Sequence, residues 1–155
     1  MSMKRISFSP GKLFEVPAGD DDHAFGLMLE KSPYWAFYNR QANFDEAGRP
    51  TDDPMFIVAV AKSAYSSGKW GEPIRQLPNQ ALPPIPRFFR QDPISGNCDI
   101  FDPSGGSDEG TSATPEDCIG LERYAVWSAE HVVSRIADTY AGRPNSFAES
   151  MRVKF

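Results

Sequence analysis

Over the first sixty positions the apolar residues recur with a period close to two, and that pattern predicts β-structure. Residues 4–9 read as an opening strand, and residues 12–16 as a short apolar strand that ends at Pro17. AGDDDH at 18–23 is a turn by composition. In AFGLMLE, Phe25, Leu27 and Leu29 fall on one face and Ala24, Gly26 and Met28 on the other. Gly26 suits a close backbone approach or a bend. YWAFY at 34–38 is an aromatic strand signal, so the segment predicts a small meander. After a polar connection at 45–54, MFIVAVA at 55–61 is the most continuous apolar run. It predicts a central strand covered on both faces. Residues 62–69 read as a turn or a short irregular helix.

The second half is patterned differently. Pro78, Pro83, Pro84, Pro86, Pro93 and Pro103 punctuate it, and PPIP at 83–86 favours polyproline geometry. Its first reading is a stiff connection packed on its own domain; its second is a ligand for an aromatic groove. Phe88 and Phe89, then CDIF at 98–101, predict short edge strands. Residues 102–117 read as a long acidic surface loop, the most mobile part of the chain. Thr114, Pro115 and Asp117 within it make a weak helix start. The clearest helix follows Ser128, an N-cap, with Glu130 in the first turn. Val132, Val133, Ile136, Ala137 and Tyr140 form its stripe, and Gly142 and Pro144 close it. A helix of this length with one apolar stripe needs a sheet to lie on. Residues 151–155 predict a last strand or a docked extension.

The expected fold class is therefore α+β: a curved, mostly antiparallel sheet, with barrel-like closure as one form of it, carrying the C-terminal helix on one face. A chain of 155 residues has the size of one domain with one core. The formal net charge of -5 argues against gripping nucleic acid, since that affinity comes from Lys and Arg. It suits a basic protein partner, and it suits solubility equally well. Two cysteines, Cys98 and Cys118, read as free thiols in a reducing compartment before they read as a bridge. The N-terminus has no apolar h-region and the longest apolar run is far too short to span a bilayer. The expectation is a cytoplasmic protein without membrane contact, its oligomeric state left open.

Candidate chemistry changes little. His23 follows Asp20, Asp21 and Asp22, which fits a solvated turn better than a metal site. His131 falls in the first turn of the helix. Cys98 and Asp99 with a histidine lack the strand–turn–helix setting of a nucleophile. There is no CxxC pairing, HExxH or phosphate-binding glycine loop, and DPSGGSDEG lacks the ligand spacing of a calcium loop. No catalytic residue, metal or cofactor is assigned. The candidates for contacting a protein partner are Asp20, Asp21, Asp22, Trp35, Trp70, Asp99, Asp102, Asp108, Glu109 and Glu116. For the two tryptophans a core role is an equal reading.

GKLFEVPAGDDDHAFGLML at 11–29 resembles the opening of the bacterial immunity protein 26 family, through Gly11, Phe14, Val16, Pro17, Phe25 and Gly26. The Trp70 segment, and Gly120, Leu121 and Glu122 leading to Val126, Trp127 and the helix from Ser128, are similar to the family's second half. Residues 78–117 depart most from it. The resemblance implies one immunity-protein-like domain over 1–155, not an enzyme, that binds and neutralises a cognate polymorphic toxin in the cytoplasm. Many toxins that attack nucleic acid are basic, so a basic nuclease is the partner this suggests. The alternatives are a small hydrolase using carboxylate or histidine chemistry, and a general adaptor unrelated to toxins.

Overall fold

The computed structural model describes residues 5–19, 21–105 and 109–155. Along the chain run β1 (Lys12–Pro17), β2 (His23–Met28), β3 (Tyr34–Tyr38), β4 (Phe56–Val60), β5 (Arg75–Gln76), β6 (Phe88–Gln91), β7 (Cys98–Phe101), β8 (Thr111–Ala113), β9 (Glu122–Arg123) and β10 (Val126–Trp127), then α1 (Ala129–Ala141) and α2 (Ser146–Ser150). The fold is mixed α+β. Its strands make two sheets, ordered β10-β4-β3-β2-β1-β5 and β8-β7-β6-β9, and neither closes on itself among the described residues. The expected single sheet and its barrel-like closure are thereby corrected. Pairing is antiparallel except at β10–β4 and β6–β9.

The period of two explains the layering. Phe14, Val16, Trp35, Phe37, Val58 and Val60 face one side of the large sheet, where Trp127, Val132 and Ile136 pack on them. Leu13, Leu27, Tyr34, Ala36, Tyr38 and Ala59 face the other side, against Leu77, Ile85, Phe88 and Phe101. Every residue of YWAFY is buried, because the helix covers one face of β3 and the proline-rich connection and small sheet cover the other. Val132 and Ile136 are 0% exposed, and burying each contributes about 1.5–3 kcal/mol. Helix α1 is capped as its sequence predicts. The Ser128 side chain accepts from the His131 amide, and Gly142 ends the helix in the left-handed region at φ 70.

The PPIP segment packs on its own domain through Ile85, which is 4% exposed. Gly26 lies opposite Phe14 with the Trp35 ring above it, the close approach its sequence position suits.

Other expectations are corrected. Of the expected opening strand, Lys4 lies outside the described residues, and residues 5–9 pair with no sheet strand. Ile6 instead donates its amide to the Ser66 carbonyl and buries its side chain in the core. Strands β6 and β7 are interior to the small sheet, not edges, because β8 and β9 flank them. Strand β8 arises inside the expected loop 102–117: Thr111, Ser112 and Ala113 pair with Ile100, Asp99 and Cys98. Their exposure leaves no apolar alternation to announce a strand. The short helix α2, capped by the Asn145 side chain, was not legible at all. The tail is a docked extension: Lys154 and Gln91 exchange two hydrogen bonds of 2.8 and 2.9 Å. Among the described residues, no helix is long and apolar enough to cross a membrane.

Candidate functional site

The small sheet and its flanking turns bring Asp99, Asp102 and Glu109 near one another. Arg90 and Asp99 face each other across the β6–β7 ladder, and the guanidinium grips the carboxylate through two bonds of 2.9 and 2.8 Å. The same guanidinium lies 4.4 Å from the Phe101 ring centre, which flattens it against the sheet. Gly110 comes so close that a Cβ there would strike the Asp99 carboxylate. Asp99 is therefore a structural ion-pair partner.

Beside it lies a groove of about 590 Å³ at the end of β7, lined by Ile100, Phe101, Asp102, Glu109, Asp117 and Arg87. Asp102 accepts from the Ser104 hydroxyl and amide at 2.7 and 3.0 Å. These bonds, with the Arg87 charge, hold its carboxyl below the usual range although desolvation pushes the other way. Asp117 accepts from the Thr114 amide and lies beside its hydroxyl, and its carboxyl is lowered likewise. Three acids against one arginine make the lining net negative. The lining brings carboxylates and apolar atoms together, an arrangement that suits the aliphatic stem and cationic head of a lysine or arginine.

Asp20 and Asp108 lie outside the described residues. Asp21 is in the β1–β2 turn at φ 58. Asp22 is bound by Arg40, with Nε 2.7 Å from Oδ1, and the arginine stacks 3.7 Å from the Tyr140 ring centre. That pairing holds the Asp22 carboxyl at about 2 and leaves it little charge to offer a partner. Trp35 and Trp70 are 0% and 3% exposed and form an edge-on pair in the core, so neither reaches a partner from the folded surface. Glu116 is exposed next to Asp117 but does not line the groove. Arg87 was missing from the sequence candidates and carried no signal there, whereas Asp117 was legible as an exposed acid at the Thr114 helix start.

A second groove, of about 580 Å³, lies between the β9 segment and the tail. Ile119 and Phe155 are 63% and 80% exposed at it, with Leu121, Met151, Val153 and Cys118 among its walls. Arg135 bridges from α1 to Glu122 through two bonds of 2.8 Å, sealing one side. Neither groove is lined by a histidine. His23 Nδ1 sits 3.8 Å from the exposed Glu15, and the His131 ring stacks on Phe147 at 4.0 Å. Among the described residues, no group of three or more His, Cys, Asp and Glu is placed to hold a metal ion. No known protein family, no curated protein and no solved structure matches this chain.

Proposed function

We propose that the chain is an immunity protein that binds and neutralises a cognate bacterial toxin, and that the groove lined by Asp102, Glu109 and Asp117 receives a basic segment of it. The observation that carries this reading is the groove itself, with the Asp102, Glu109 and Asp117 carboxylates gathered in its lining. The resemblance at residues 11–29 and 120–128 supports the toxin as the class of partner. Exposed carboxylates act mainly on encounter: they draw a basic surface in and fix its register, while close contact within the groove sets the lifetime of the complex.

Co-expression with the product of the neighbouring gene, followed by copurification and a growth-rescue assay, tests the reading. An Asp102→Asn, Asp117→Asn double variant keeps the hydrogen-bonding shape and removes two charges. It should slow association several-fold at low salt and flatten the salt dependence, with dissociation nearly unchanged. Failure to bind any neighbouring gene product would sink the immunity reading. Binding with unchanged association rate and salt slope would move the interface off this groove.

A further inference from the structure

Cys98 and Cys118 are far apart in sequence but meet in the fold. Cys98 lies on β7, and its partner across the ladder is Ala113 at the end of β8. The chain then turns through Thr114 and Pro115 into a single 3-10 turn, Glu116–Cys118. That turn folds Cys118 back, and its Sγ donates to the Thr114 carbonyl at 3.5 Å, one residue beyond the partner of Cys98. Both side chains share one buried cluster with Phe89 and are 5% and 1% exposed. We propose that Cys98 and Cys118 are a dithiol site that closes reversibly to an intramolecular disulfide by exchange with a small aliphatic disulfide.

Each thiol donates to a backbone carbonyl, Cys98 to Gly96 at 3.6 Å and Cys118 to Thr114 at 3.5 Å, and burial first, then the neighbouring Cys98, push the Cys118 thiol up to about 11. The resting pair is therefore protonated at Cys118 and does not react indiscriminately. Access runs along the second groove, where Cys118 forms part of the wall. Asp117 adds negative charge near the sulfurs, which favours a cationic reagent over an anionic one, whereas Asp99 is neutralised by Arg90.

The exchange balances without any further reactant. One cysteine loses its proton to solvent, and its sulfur attacks the small disulfide. The S–S bond of the reagent breaks and one thiolate leaves, which takes up a proton. The second cysteine then loses its proton and displaces the remaining half. The protein dithiol is oxidised by two electrons, and the reagent is reduced to two thiols. The new bond ties β7 to the turn before β9 and closes a loop of about twenty residues, the segment that also carries Asp102, Glu109 and Asp117. The proposal does not depend on the toxin reading.

The test uses the full chain, folded, incubated with cystamine at mildly alkaline pH, quenched in acid, denatured and alkylated. The expected product is a monomer lighter by two hydrogens, with neither cysteine alkylated and a Cys98–Cys118 linked peptide after non-reducing digestion. Its thermal midpoint should rise by about 6–12 °C and return on reduction with dithiothreitol. The Cys118→Ala variant should show no such rise. Unchanged mass, a lasting cystamine adduct on one cysteine, a disulfide-linked dimer, or a bridge that leaves the midpoint unmoved would each overturn the proposal. Every one of these readings is made on the unsubstituted chain, so a poorly folding variant does not blur the outcome.

Discussion

Replacing Gly26 by alanine tests how the large sheet is packed. In an ordinary strand the change stabilises by about 0.5–1 kcal/mol, because glycine loses more backbone entropy on folding. Gly26 is not in an ordinary place. A Cβ there would sit 3.0 Å from two atoms of the Trp35 ring and 3.0 Å from a Val16 methyl. Trp35 cannot swing aside cheaply, since Phe14, Phe37, Tyr65 and Trp70 surround it at ring-centre distances of 5.1, 5.8, 5.2 and 5.4 Å. Overpacking of this kind costs about 1–3 kcal/mol, and with three contacts at once the upper part of that range applies. The net expectation is a loss of about 1–2 kcal/mol, or a fall in midpoint of about 2–8 °C. Urea titration with tryptophan fluorescence and a thermal scan both measure it. A Trp35→Phe background removes the crowding ring atoms, so Gly26→Ala should be neutral or stabilising there, with a coupling of about 1–3 kcal/mol. A Gly26→Ala protein as stable as the parent would refute the reasoning, and so would an equal loss in both backgrounds.

Ser128→Ala removes the acceptor of the His131 amide and should cost about 1 kcal/mol in the same titration, while Ser128→Asn should retain most of it. Arg135→Ala leaves Glu122 half-buried without its two bonds and uncovers the Phe56 and Trp127 rings, with an expected loss of about 1–3 kcal/mol. The Asp22 carboxyl is held at about 2 against an unfolded value near 3.8, chiefly by Arg40. A lowered folded pKa gives stability that is complete above the unfolded value and is lost as the pH falls through the folded one. Thermal midpoints of an Arg40→Gln variant should therefore lie below the parent at neutral pH and converge on it between about pH 4 and pH 2, in a pH series at fixed ionic strength. A gap that stays constant across that window would show that Arg40 acts through its packing on Tyr140 alone.

Local pattern was enough for some elements and not for others. Strands β1 to β4 and helix α1 were legible because each alternates or repeats within its own few residues. The turn and cap residues around them, Pro17, Ser128 and Gly142, act on their immediate neighbours and read the same way. Strand β8 has no such pattern, and only the waiting edge of β7 makes it a strand. The charge of the acidic turn was legible, but the capture of Asp22 by Arg40 eighteen residues away was not. Trp35 and Trp70 had the composition of anchors and of core alike, and the covering of both sheet faces decided for the core.

The sequence by itself determined the α+β class, the capped C-terminal helix, the central apolar strands and the surplus of carboxylates, since periodicity, capping and charge are properties of short stretches. Tertiary structure alone decided that there are two sheets, that residues 87, 100–102, 109 and 117 surround one groove, and that Cys98 meets Cys118. Those outcomes depend on which distant strands share a ladder, and pairing energy between distant strands leaves no mark on either strand alone.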